Sequence, residues 1–356
     1  MPERRLHALA RGGHGSQVFY FHTWYRGHNN PRYDELLPRL SRVDAYLVRF
    51  PRPRVARAAA ERAWKRVRFA VEPPLLARAS AVYGGAFVTD LRQLPHLRVP
   101  CVVDVDDPQF ERDAELLRSA NVAAYVVTDE YTGHRLEALG VDQPWHVVPQ
   151  GAPLDRLDAG RVEAIRRTRR REGDFVAVFV SAFLLLPGDR GGDNPLYDVT
   201  HLLELWDQVA ARAPGARLWL IGHASPRARE RLRGRGDVVL LGRLHRNESF
   251  AHIAAADVAL YPRRPDDGVR RVKTAEYLAA GVPVVGYDYR SVSDVKEAGA
   301  GLLVDQPADF VDAVVSLARD GALRARLAAA AAGAGAQRDW RILSARYASI
   351  LDEHLR

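Results

Sequence analysis

The stretch Arg270-Arg271-Val272-Lys273-Thr274-Ala275-Glu276-Tyr277-Leu278-Ala279-Ala280-Gly281-Val282-Pro283-Val284-Val285-Gly286 reads as a helix running into a buried strand. It opens with cations and carries a carboxylate one turn later. It stops at Gly281-Val282-Pro283, because glycine closes helices and proline cannot continue them. The spacing predicts a helix over 269–280 and a strand over 282–285. Lys273 and Glu276 stand at i and i+3 and so share one helix face. The unpaired amides of a first helical turn, at the positive end of its dipole, add affinity for an anion there. Two readings follow: a surface Lys–Glu pair worth roughly a few tenths of a kcal/mol, or a seat for a phosphorylated ligand.

Outward from this stretch, short apolar runs alternate with longer amphipathic segments, the pattern of parallel sheets covered by helices. In the first half, strands are expected at 17–21, 44–49, 81–88, 99–105, 123–128 and 145–148, with helices at 33–42, 53–69, 111–120 and 131–139. The turn-rich phrase Val147-Val148-Pro149-Gln150-Gly151-Ala152-Pro153 closes that half, and 161–171 reads as a charged, solvated helix. In the second half, strands are expected at 175–181, 217–221, 238–241, 258–261, 282–285 and 301–304. Helices are expected there at 197–212, 226–233, 247–255, 269–280, 292–298, 309–319, 322–332 and 339–355. The expected architecture is α/β, with two doubly wound domains at 1–150 and 151–337. A final helix within 338–356 is expected to pack back toward the first domain. Ligands of such sheets bind at the carboxyl ends of the strands.

Composition agrees with a two-domain globular chain: 356 residues, 47% hydrophobic and 27% charged. The first residues contain no apolar core of a signal peptide, and no run of about 18 apolar residues occurs. The cytoplasm is the expected compartment. Cys101 is the only cysteine, so no disulfide forms within the chain, and it lies in an apolar run that reads as core. The net charge is +8, yet Lys65, Lys273 and Lys296 are the only lysines and arginine carries nearly all the positive charge. With much alanine and glycine, that pattern points to compositional bias of the source genome. There is no helix-turn-helix, zinc or RNA-binding signature, and no nucleic-acid partner is expected.

Four pieces in order make a resemblance specific: Val147-Val148-Pro149-Gln150-Gly151; Leu241-Gly242-Arg243-Leu244 leading into Asn247-Glu248; Ala254-Ala255-Ala256-Asp257-Val258-Ala259-Leu260-Tyr261-Pro262; and Lys273-x-x-Glu276 through Val285. The second half resembles the donor domain of retaining GT-B glycosyltransferases of the large group 1 type. The resemblance covers residues 145–305 well and the first 145 by layout. It implies two Rossmann-like domains facing across a cleft. It also implies that Glu276 accepts hydrogen bonds from the donor ribose hydroxyls, a task suited to a carboxylate. Lys273 matches a diphosphate-binding cation, and Arg270 or Arg271 can add a forked contact. Gly242-Arg243-Leu244 matches the loop whose backbone reads the base. Many relatives carry an earlier glutamate, separated from the later one by seven residues, and it would fall here at Gly268; Asp266 and Asp267 are out of register.

Further candidates lie at other strand ends. Arg190, flanked by Gly188, Gly191 and Gly192, matches a loop cation for the diphosphate. In the first half, His22, Arg26 and Gly27 follow the first strand and can touch acceptor or phosphates. Asp104, Asp106 and Asp107 end another strand, and Asp106 or Asp107 can orient the acceptor hydroxyl or stabilise a cationic transition state. A metal at Asp104-Val105-Asp106 is the competing reading; the two-domain layout and Lys273 favour a metal-independent site. The basic segment 52–68, with Trp64 and Phe69 among its arginines, reads either as a solvated helix or as a contact with an anionic membrane surface.

The resemblance thus implies transfer of a sugar from a nucleotide-diphosphate sugar to an acceptor hydroxyl with retention, as in polysaccharide or glycolipid assembly. No cofactor is expected beyond the donor, a UDP-sugar by default, and the acceptor is a glycan, a lipid-linked sugar or a small molecule. The alternatives are a nucleotide-sugar epimerase or phosphorylase, and a non-catalytic binding module.

Overall fold

In the computed structural model, residues 18–24, 31–40, 43–49, 81–85, 94, 100–106, 110–192, 197–263, 268 and 270–355 are described. The chain divides into two compact units, one of residues 1–149 with 341–356 and one of residues 150–340. The helix expected over 53–69 and its basic segment lie outside the described residues.

The first unit runs β1 (Val18–Trp24), α1 (Pro31–Leu36), β2 (Val43–Arg49), β3 (Ala81–Gly85), β4 (Cys101–Val105), α2 (Phe110–Leu117), β5 (Val122–Val127), α3 (Glu130–Ala138) and β6 (Trp145–Val147). Among the described residues its six strands are all parallel, in the order β2-β1-β3-β4-β5-β6, with β6 last in that order. Every residue of β4 is buried. That is why Cys101-Val-Val-Asp-Val reads as a continuous run and not as an alternation: both faces of a parallel sheet are covered. Asp104 belongs to this buried set, and its charge is met inside the unit. The Arg32 Nε donates to Asp104 Oδ2 at 2.9 Å, with both side chains fully buried, and the Tyr33 hydroxyl donates to Oδ1 at 3.3 Å. The Arg32 guanidinium also reaches the Pro149 carbonyl at 3.1 Å.

The second unit runs α4 (Ala159–Arg169), β7 (Phe175–Leu184), α5 (Thr200–Arg212), β8 (Ala216–Ala224), α6 (Pro226–Leu232), β9 (Val238–Gly242), α7 (Arg246–Ala254), β10 (Val258–Tyr261), α8 (Val272–Ala279) and β11 (Val284–Tyr287). It continues through α9 (Ser293–Glu297), β12 (Gly301–Val304), α10 (Pro307–Arg319) and α11 (Gly321–Ala336). The last helix, α12 (Trp340–His354), lies almost wholly in the first unit. The six strands of the second unit are parallel in the order β12-β11-β10-β7-β8-β9. Its chain therefore starts at the sheet centre, builds outward to β9, returns to the centre at β10 and builds the other way. This is the Rossmann strand order. Trp206 and Trp219 are almost fully buried on opposite sides of it, each in its own apolar cluster.

The decisive stretch folds as a helix and a strand, with edges set by specific bonds. Arg271 caps α8 in extended conformation, so the helix begins at Val272 and not at 269. At the other end Gly281 takes φ +67°, its N–H donates to the Leu278 carbonyl at 2.9 Å, and the Val282 N–H donates to the Tyr277 carbonyl at 3.0 Å. Those two bonds make a Schellman cap. Val282 is consumed by the cap and Pro283 has no N–H, so β11 starts at Val284 instead of 282. Helix α11 runs to Ala336, past the expected end at 332, although Gly333 and Gly335 disfavour a helix. A Cβ on Gly335 would sit 2.3 Å from the Leu278 carbonyl oxygen, so this glycine lets α11 lie directly on the backbone of α8.

Candidate functional site

The strand order of the second unit reverses between β7 and β10, the place where ligands enter such sheets. Helix α8 brings Lys273 there. Its Nζ lies 5.2 Å from the centre of the Phe179 ring on β7 and 5.6 Å from that of Tyr261, the last residue of β10. Three contacts along α8 hold it in this position. The Thr274 hydroxyl donates to the Arg271 carbonyl at 2.8 Å and stands 3.1 Å from Asp294 Oδ2, a carboxyl that burial pushes up from its usual range. The buried Tyr277 hydroxyl accepts from the Val180 N–H at 3.3 Å, near the point where the β7–β8 register shifts. Gly335 adds the close helix contact described above.

The electrostatics of Lys273 are unusual. Burial, followed by the charges of Arg263 and Arg271, pulls its pKa down to about 7, against a weaker opposing pull from Glu276. The protein by itself therefore destabilises this ammonium. An anion bound beside it would reverse that balance, because an opposite charge within a few ångström favours the charged form. Glu276, one turn on, is buried, and its Oε1 pairs with an Arg246 nitrogen at 3.1 Å. Arg246 opens α7 immediately after the loop Gly242-Arg243-Leu244. Gly242 ends β9 with φ +73°, a turn conformation that suits glycine. Leu244 packs on the apolar cluster that contains Tyr261 and Tyr277, while Arg243 is exposed.

The other sequence candidates are distributed as follows. Arg271 shares the Lys273 site as the α8 cap. Arg270 turns elsewhere: its Nε donates to Ser293 Oγ at 2.9 Å and its guanidinium pairs with Glu297, both on α9. Arg190 is exposed on the loop after β7. That loop is ordered by Asp189, which accepts from the Leu186 N–H at 2.8 Å and from the Ser225 hydroxyl at 2.5 Å. In the first unit, Asp106 is half-buried at the end of β4, and its charge acts on Arg32 and Tyr33. His22 lies on β1 opposite Leu47 of β2. Arg26, Gly27 and Asp107 lie outside the described residues. Asp104, which the metal reading requires, is occupied by Arg32.

Sequence reasoning missed Arg246, Arg263, Phe179 and Asp294. Arg263 had a signal, since it follows the Tyr261-Pro262 end of a strand at the switch point. Arg246 and Asp294 had none, because their partners Glu276 and Thr274 are brought to them only by packing.

Residues 193–320 match the family model of glycosyl transferases group 1. No curated protein matches the chain. Solved structures share its fold. WaaG, a glycosyltransferase involved in lipopolysaccharide biosynthesis, is 16% identical with a TM-score of 0.64, covering 94% of this chain and 99% of its own. HepE of Anabaena, in complex with UDP and glucose, is 15% identical with a TM-score of 0.67, covering 95% and 100%. Sucrose-phosphate synthase of Thermosynechococcus elongatus is 14% identical with a TM-score of 0.71, covering 95% and 99%. The resemblance to group 1 glycosyltransferases and the α/β GT-B fold are thus both borne out.

Proposed function

We propose that this protein transfers a sugar from a nucleotide-diphosphate sugar to an acceptor hydroxyl, with the donor held by the second unit at the Lys273 site. The observation that carries this reading is the position of Lys273 at the switch point of the second sheet, beside Tyr261 at the carboxyl end of β10 and Phe179 of β7. A diphosphate there restores its charge, and the charge in turn stabilises the departing diphosphate. In the reaction the bond from the anomeric carbon to the diphosphate oxygen breaks, and its electron pair leaves with the phosphate. The acceptor oxygen bonds to that carbon and its proton passes to the departing diphosphate oxygen. Electrostatic stabilisation of the leaving group is the main contribution asked of Lys273 and the first amides of α8.

In this reading Glu276 accepts from the ribose hydroxyls and the Gly242-Arg243-Leu244 loop reads the base, as the family resemblance implies; the ion pair of Glu276 with Arg246 supports the first role. Uridine is the default base; HepE, of the same fold, was captured with UDP-glucose. Arg190 and Arg271 are the further candidates for the phosphates, and Asp106, Asp107, His22, Arg26 and Gly27 for the acceptor. Retention and a membrane-surface setting through residues 52–68 follow the family resemblance, metal independence follows the two-domain layout and Lys273, and the cytoplasmic compartment is the expectation from the sequence. Among the described residues no helix is long and apolar enough to cross a membrane.

The test combines binding and turnover. A thermal-shift screen with UDP, GDP, ADP and dTDP should reveal one preferred nucleotide, since ligand at a hundred times its Kd stabilises by about 2.7 kcal/mol. With the matching nucleotide sugar, Lys273→Ala should lose two to three decades of kcat, about 3 kcal/mol of barrier. Full activity of Lys273→Ala or Glu276→Ala would overturn the assignment.

A further inference from the structure

A second cluster of chemistry-bearing side chains lies in the first unit. His146 is the middle residue of strand β6, and Glu353 and His354 end α12. Each offers one ligand atom, and the three atoms lie within 4.8 Å of one another. The two imidazole Nε2 atoms are 2.8 Å apart, with ring centres at 4.9 Å and planes tilted by 51°. Glu353 Oε1 stands 3.8 Å from His354 Nε2. We propose that His146, Glu353 and His354 together bind one divalent transition-metal ion of the zinc class, which clasps the C-terminal helix to strand β6 of the first sheet.

The geometry supports this. Zinc takes imidazole nitrogen at about 2.0–2.1 Å and carboxylate oxygen at about 2.0–2.2 Å in a tetrahedron, which sets ligand atoms about 3.3 Å apart. The observed 2.8 and 3.8 Å fall on either side of that spacing, and all three ligand atoms lie within 4.8 Å of one another, so side-chain rotation can draw them around one ion. Two imidazoles and one carboxylate are a donor set for zinc, whereas calcium and magnesium prefer oxygen alone. His354 and Glu353 reach His146 from positions 208 and 207 residues away along the chain. An ion would thus close a very long loop, the arrangement in which a clip restricts the unfolded chain most.

The experiment uses the full chain, stripped with a chelator and dialysed. Titration with Co²⁺ should produce the visible absorption of a tetrahedral site at one equivalent, and Zn²⁺ should displace it and raise the melting temperature. His146→Ala and His354→Ala should abolish the cobalt spectrum and weaken zinc binding at least about tenfold. Glu353→Gln, at an exposed side chain, should keep the fold by circular dichroism and also weaken zinc. A wild-type chain without the cobalt spectrum would overturn the proposal and leave a plain imidazole–imidazole hydrogen bond. Unchanged zinc affinity in Glu353→Gln or in the histidine double variant would overturn it equally. Nucleotide affinity is not expected to change in any of these variants.

Discussion

Replacing Lys273 by methionine should make the protein more stable at neutral pH while removing its activity. The unfolded chain holds this ammonium near pKa 10.5 and the folded chain near about 7. Between those values the unfolded state binds a proton that the folded state does not, so wild-type stability rises with pH across that window. Below about pH 7 the full penalty applies. A tenfold difference in proton affinity is worth about 1.36 kcal/mol, so at pH 7 the charge costs up to about 4 kcal/mol. Methionine keeps the stem's contacts with Phe179 and Tyr261 but loses the cation–π attraction; the pull of Glu276 is already contained in the folded value. That leaves a net gain of about 2–3 kcal/mol. For a unit of this size the gain corresponds to roughly 5–10 °C in Tm. Calorimetry of both proteins from pH 6 to 9.5 checks it: the gap should be widest at pH 6–7 and shrink as pH rises. A Lys273→Met protein that melts lower at pH 6, or a gap that widens with pH, would refute the reasoning.

The same linkage predicts that the matching nucleoside diphosphate takes up a proton on binding above pH 7, and that its affinity falls as pH rises from 7 to 9. Calorimetric titration in buffers of different ionisation enthalpy reads both effects, and Lys273→Met should abolish the proton uptake. Gly335→Val should destabilise the second unit by more than about 3 kcal/mol, because its new Cβ meets the backbone of α8. Urea unfolding measures this, and at temperatures where the variant stays folded its nucleotide affinity should also be reduced. Asp104→Ala should cost about 3–5 kcal/mol, since it strands the buried Arg32 guanidinium. Equal stability by the same method would show that water reaches that pair.

Much of this was legible in the chain. The period of the apolar runs located the parallel strands, because a strand covered on both faces carries no alternation to hide it. The helix stop at Gly281-Val282-Pro283 was visible, since local backbone chemistry decides it. The pairing of Lys273 with Glu276 on one face needed only helical geometry. Element edges were misplaced where a contact from elsewhere decides them. The strand after α8 loses Val282 to the cap, and a glycine stands at 335 within α11 because the backbone of α8 lies where its side chain would be.

Local chemistry along the chain suffices for the order of strands and helices and for the cation-and-carboxylate face of α8, because both depend on neighbours a few residues away. How that face is charged and held is settled by packing alone. Arg246 meets Glu276, Arg263 repels Lys273, and Arg270 is drawn away to Glu297, because the sheet's reversal at β7 and β10 brings distant segments together. Burial and Coulomb interactions act through space, so a side chain's charge state is set by those neighbours and not by its place in the chain.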